Sequence, residues 1–141
     1  MKRKASAVWQ GDFKNGKGTI STETGALSGA PYSFTARFEG ARGTNPEELI
    51  GAAHAGCFSM ALAAQLGESG LTPERIETAS TVTLEKTPDG FTITGVQLDV
   101  TARVPGASRE AFDAAAKKAK EGCPVSKLLR APIGFNATLE G

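Results

Sequence analysis

The chain has 141 residues, 40% of them hydrophobic and 22% charged, which suits one domain with a single core and excludes a disordered protein. Sixteen Lys and Arg against fifteen Asp and Glu leave a net charge of +1, with no excess of positive charge to hold a nucleic acid by its phosphates. Two cysteines and one histidine are too few for a secreted disulfide scaffold, and a zinc site would have to recruit a carboxylate, but two thiols suffice for a redox pair.

The start, MKRKASAVWQ, is basic like a signal peptide, yet no apolar run follows. Ala5, Ala7 and Trp9 instead alternate with polar residues as in a half-buried strand, and Lys17 to Thr22 is expected to pair back across the turn-rich GDFKNGKG. Tyr32, Phe34, Ala36 and Phe38 alternate next, predicting a strand with Arg37 on the opposite face. A helix then begins, with Asn45 as cap, Pro46 at the first helical position and Glu47 and Glu48 in the first turn; Glu48 could reach back as in a capping box. It is expected to run to Gly67 or Gly70. Between Leu49 and Gly67 it carries no charged residue, but six Ala, three Gly, His54, Ser59 and Gln65 make it a buried core helix rather than a membrane span. A long hairpin follows, turning at Thr87-Pro88-Asp89-Gly90, with a bulge expected at Gly95 where the apolar parity switches. Ser108 caps a second helix ending at Gly122, Pro124 opens a short one ending near Arg130, and Ile133, Phe135, Ala137 and Leu139 form a last strand. There is no internal repeat and no linker, so residues 1–141 read as a single α+β domain.

Cys57 lies in the middle of the uncharged helix, within HAGCFSM, where the plain reading is a small buried hydrophobe. Ala55 and Gly56 leave room for close approach, and His54 lies one turn earlier on the same face. Cys123 precedes Pro124 at the cap of the short helix, where free N–H groups lower a thiol's pKa. Local electrostatics alone would make Cys123 the nucleophile and Cys57 its partner, although 66 residues separate them and the spacing does not show that they meet. His54 reads first as a packing histidine, with a base for Cys57 as the alternative. A metal site assembled from Cys57, Cys123, His54 and Glu47 has no motif spacing behind it, and no cofactor is expected: there is no phosphate loop, serine elbow or dinucleotide fingerprint. Arg37 and Glu47, taken alone, read as a solvated arginine and a helix-start carboxylate.

The segments TARFEG (35–40), GTNPEELIGAAHAGCFSMAL (43–62) and AKEGCPVSKLLRAPI (119–133) closely resemble the OsmC/Ohr family, and His54 in AAHAGC points to the branch named for osmotically inducible protein C. The resemblance runs along nearly the whole chain. It implies an OsmC-like fold of two intertwined subunits, with antiparallel sheets and a long central buried helix. It also implies a cysteine-based peroxidase acting on organic hydroperoxides and recycled by a dithiol, which in relatives includes lipoyl groups on proteins. By motif position Cys57 matches the peroxidatic cysteine and Cys123 the resolving one, while Arg37 and Glu47 match the pair that flanks the reactive thiol. The family therefore reverses the local ranking of the two cysteines. Arg37 would supply the fixed cation that a thiolate buried in mid-helix needs. The competing reading is a non-catalytic thiol sensor or apolar-ligand binder using the same pair.

Glu47 and Cys57 stand ten residues apart on one expected helix, roughly 15 Å along its axis and about 80° apart around it. A straight helix cannot bring that glutamate to the thiol of its own chain. An obligate homodimer is therefore expected, in which Glu47 approaches the partner's thiol and orients Arg37 by a bidentate ion pair. A cytoplasmic location is expected, with no membrane and no nucleic-acid partner.

Overall fold

In the computed structural model, which describes all 141 residues, the chain divides into two units, Met1–Leu49 and Ile50–Gly141. The first opens with β1 (Ala5–Gln10) and β2 (Lys17–Thr22), paired antiparallel from Ala5↔Thr22 to Gln10↔Lys17. The turn between them is closed by Asp12, whose Oδ1 accepts the N–H groups of Lys14 and Asn15 at 3.1 and 2.9 Å. The N–H of Asn15 is the main reason that the Asp12 carboxyl lies below its usual range. A short β3 (Ala30–Tyr32) adds to the other edge of β2. Gly18 is required there, because a Cβ would come within 2.5 Å of the Tyr32 ring. The expectation of a half-buried first strand does not hold in the single chain: all six residues of β1 are exposed.

The strand expected over Tyr32–Phe38 is also overturned. Residues Phe34–Phe38 form a short helix, α1, whose cap Ser33 accepts the N–H of Ala36 at 3.1 Å. Alternation over so few residues fits both periods. The helix wins because Phe34 and Phe38 become i, i+4 neighbours, 4.9 Å between ring centroids, and Phe13 packs on both.

The long helix α2 (Pro46–Glu68) starts where expected: Asn45 Oδ1 accepts the Glu48 N–H at 2.8 Å, so Glu48 contributes its backbone to the cap. It ends on Gly70 in the left-handed conformation (φ +72°), with Leu71 N–H bonded to Leu66 C=O at 3.0 Å. Within the second unit the hairpin of β4 (Arg75–Thr87) and β5 (Gly90–Arg103) turns over Pro88-Asp89. Its register slips between Thr83 and Leu84, which face Gly95 and Ile93, so the bulge falls on Thr94, beside the expected Gly95. Below that bulge Val96, Leu98, Val100 and Ala102 all point into the core. Ser108 caps α3 (Arg109–Gly122), accepting the Ala111 N–H at 3.1 Å, and α4 (Pro124–Leu128) follows.

The last strand, β6 (Ile133–Glu140), corrects the antiparallel expectation: it runs parallel to β5, from Val96↔Ile133 to Arg103↔Glu140. Two intervening helices supply the crossover that a parallel pair needs. The α+β class itself, two small sheets with a long central helix, is as expected.

Helix α2 is long and apolar enough to span a membrane, with a mean hydropathy of 1.4, but Gly51, His54, Phe58, Leu62 and Leu66 form a buried row of core residues. Gly51 lets the helix approach β4, since a Cβ would sit 3.3 Å from the Ser80 carbonyl. Phe58 meets Phe135 of β6 at 5.5 Å between centroids. The opposite side of the helix is open in the single chain, where Met60 is 78% exposed. Phe112 anchors α3 in this core and is completely buried. Phe112→Ala is expected to lower the unfolding free energy by about 3–5 kcal/mol. Urea denaturation checks this: the midpoint should fall with little change in slope.

Candidate active site

Cys57 and Cys123 meet. Their sulfurs lie 2.8 Å apart and share a hydrogen bond, both thiols being free. Cys57 comes from the middle of α2, and Cys123 stands at the joint where α3 ends and α4 begins. Pro124 makes that joint: it cannot continue α3, but its fixed φ opens α4. The chain must turn at Cys123, and the turn aims the thiol at α2. Exposure separates the two sulfurs' residues, for Cys57 is partly accessible and Cys123 is 0% exposed.

Burial pushes the Cys57 thiol up, and its hydrogen bond with Cys123 adds to the shift; only the Val125 N–H works the other way. Burial alone would raise Cys123 too. It nevertheless ends below its ordinary value, held down by the hydrogen bond with Cys57, the N–H and hydroxyl of Ser126 and the N–H of Val125. The electrostatics of the single chain thus keep the ordering expected from the helix cap.

His54 is fully buried, and its Nε2 lies 2.8 Å from the Ser126 hydroxyl. Its pKa is lowered by burial. Its polar partner is therefore the residue behind Cys123, and Ser126 is the site residue that sequence reasoning missed. The signal was present in CPVSKLL, since a hydroxyl three residues after a capping position lies in the turn whose N–H groups face back toward the cap.

In the first unit Arg37 and Glu47 form the expected ion pair. Nε and Nη2 donate to the same oxygen, Glu47 Oε1, at 3.1 and 2.8 Å, so the pair converges on one oxygen rather than forming the expected two-oxygen fork. The guanidinium also lies 5.2 Å from the centre of the Phe38 ring. With Trp9, Phe13, Tyr32, Phe34 and Phe38 it borders an apolar cavity of about 270 Å³. No three His, Cys, Asp or Glu side chains gather as a metal site.

A family model described as OsmC-like protein matches residues 39–138. Peroxiredoxin OsmC of Escherichia coli strain K12 is 54% identical over 138 residues, which span 98% of this chain and 96% of that protein. The chain belongs to the OsmC/Ohr family. An organic hydroperoxide resistance protein of Xanthomonas axonopodis pv. citri is 33% identical over 71% of this chain and 69% of its own length. Among solved structures, the organic hydroperoxide resistance protein OhrB of Bacillus subtilis superposes with a TM-score of 0.69 at 26% identity, over 97% of this chain and 98% of that one. An OsmC-like protein of Mycoplasma pneumoniae reaches 0.79 at 17% identity, over 100% and 99% of the two chains, and so shares the OsmC fold.

Proposed function

We propose that this thiol-dependent peroxidase reduces organic hydroperoxides to alcohols, with Cys57 as the peroxidatic residue and Cys123 as the resolving one. The observation that carries the reading is the thiol pair itself: two sulfurs 2.8 Å apart, one residue partly accessible and the other closed off. A peroxide must reach the sulfur that attacks it, and accessibility therefore outweighs the lower pKa of Cys123. The Cys57 thiolate attacks the outer peroxide oxygen, the O–O bond breaks, and the alkoxide leaves as alcohol after taking a proton. Cys57 becomes a sulfenic acid, which Cys123 condenses to a disulfide with loss of water. A dithiol, such as a lipoyl group on a protein, then restores both thiols.

The raised Cys57 pKa calls for a cation beside the thiolate. Arg37, oriented by Glu47, is assigned that role, and helix spacing assigns it to the partner's thiol in a homodimer. The exposed β1 strand and the open side of α2 support a second subunit. Nothing lies within 4 Å of where a Cβ on Gly56 would be, one residue before Cys57. The aromatic cavity bordered by Arg37 favours an organic substituent over a bare hydrogen peroxide. A transient disulfide of this kind suits the reducing cytoplasm.

One equivalent of cumene hydroperoxide is expected to remove two hydrogens per chain and link the Cys57 and Cys123 peptides within it. Non-reducing mass spectrometry reads both, and a covalent dimer as the main product would count against the reading. Continued hydroperoxide consumption with a dithiol present distinguishes the enzyme from a sensor, which stops after one equivalent.

A further inference from the structure

One helical turn from the thiol pair, a second pair of side chains repeats its geometry. On α2, His54 stands three residues before Cys57; at the joint of α3 and α4, Ser126 stands three residues after Cys123. At that spacing side chains face the same way, about 4.5 Å apart along a helix. Cys57 meets Cys123 with 2.8 Å between sulfurs, and His54 Nε2 meets Ser126 Oγ at 2.8 Å. The two contacts are successive rungs between α2 and α4. The thiol rung opens and closes in every catalytic cycle, whereas the His54–Ser126 rung takes no part in the chemistry. With only five residues, α4 is too short to keep its place by its own hydrogen bonds.

His54 is completely buried, and its Nδ1 has no hydrogen-bond partner. Leucine would fill much the same space with no buried nitrogen to leave unpaired, so stability alone does not account for a histidine here. Burial keeps the ring neutral, with a single N–H. On Nε2 that hydrogen finds an acceptor in Ser126 Oγ; on Nδ1 it would be a buried donor with no acceptor. The unpaired Nδ1 is what a ring used through one nitrogen leaves behind.

We infer that His54 and Ser126 are positioning residues for the resolving step: their hydrogen bond clamps α4 to α2 while the thiol rung is open, keeping Cys123 within reach of the Cys57 sulfenic acid. In that step the Cys123 thiolate attacks the Cys57 sulfur, the S–S bond forms and the S–O bond breaks. The sulfenic sulfur is reduced and the Cys123 sulfur oxidised. The departing hydroxide takes the proton that Cys123 gave up, so one disulfide and one water result. A disulfide holds its sulfurs at about 2.05 Å, so a closure of under ~1 Å from 2.8 Å completes the bond. An α4 free to drift would lose that advantage, since a misplacement of about 1 Å can cost about 100-fold in rate. A slow resolving step also leaves the sulfenic acid open to a second hydroperoxide. The clamp therefore sets how much hydroperoxide the enzyme withstands before Cys57 is lost as sulfinic acid. His54 acts as a donor to Ser126 rather than as a base for Cys57.

The clamp rests on the peroxidase reading, and single-turnover kinetics separate the two. The full-length protein is mixed with one equivalent of cumene hydroperoxide and quenched at intervals with a sulfenic-acid probe. Mass spectrometry then follows sulfenic acid formation and its conversion to disulfide as two phases. In Ser126→Ala, in His54→Leu and in the double variant the second phase is expected to slow about 10-fold or more. The double variant should be no slower than the slower single one, because either change alone removes the clamp. His54→Gln, whose amide can donate to Ser126, should restore most of the rate. With excess hydroperoxide the slowed proteins should accumulate sulfinic acid on Cys57 at lower concentrations than the parent. Urea denaturation supplies the readout that a merely structural role would not share. The double variant has lost both polar partners together and should unfold at or above the parent midpoint while resolving slowly. A second phase within twofold of the parent in Ser126→Ala and His54→Leu would overturn the clamp and leave the peroxidase reading standing. So would a His54→Gln protein as slow as His54→Leu. A double variant that fails to fold, or whose midpoint falls, would make the pair a part of the core and overturn the clamp as well. No first phase in the unaltered protein would remove both readings.

Discussion

Cys57→Ser chains are expected to consume no organic hydroperoxide, and Cys123→Ser chains to consume one equivalent and stop. The difference follows from the division of labour between two sulfurs that touch. Only a thiolate can attack the peroxide oxygen, and a serine hydroxyl, whose ionisation lies far above neutral pH, cannot replace it. Loss of Cys123 leaves that first attack intact but strands Cys57 as sulfenic acid, open to further oxidation by excess peroxide. Hydroperoxide consumption with a dithiol present, together with trapping by a sulfenic-acid probe, measures both outcomes. The competing assignment has a physical basis, because Cys123 is the thiol whose pKa is lowered in the single chain. Probe labelling of Cys123 in the parent protein, with Cys57 never modified, would reverse the roles.

Arg37→Ala and Glu47→Ala are expected to lower kcat/KM by about 100-fold or more, the scale on which a positioned donor stabilises developing charge. Arg37 is the cation assigned to the Cys57 thiolate and the departing alkoxide, and Glu47 fixes it through two hydrogen bonds to one oxygen. On the dimer reading the effect crosses between subunits. Hybrids of Cys57→Ser with Glu47→Ala chains contain one site that combines an intact Cys57 with an intact Glu47 from the other subunit. Activity in verified hybrids should therefore exceed that of either parent. No recovery would mean that the glutamate serves its own subunit and that the spacing argument along a straight α2 is wrong.

Local signals in the sequence determined most of the elements. The Asn45-Pro46 start of α2, the Ser108 cap of α3, the Pro124 opening of α4 and the Pro88-Asp89 turn each depend on chemistry within a few residues, and each is found where its residues put it. Over residues 32–38 the four alternating apolar positions, Tyr32, Phe34, Ala36 and Phe38, are too few to tell a strand from a helix; the choice is made by Phe13, distant in sequence, packing on Phe34 and Phe38. The parallel direction of β6 was equally hidden, since alternation along a strand is the same whichever way its neighbour runs. At the site, sequence marked both cysteines, Arg37 and Glu47 through the family resemblance. The meeting of Cys57 with Cys123 and of His54 with Ser126 was decided only by tertiary structure. Contacts spanning 66 and 72 residues depend on how α3 and α4 return to α2, and no local propensity encodes that path.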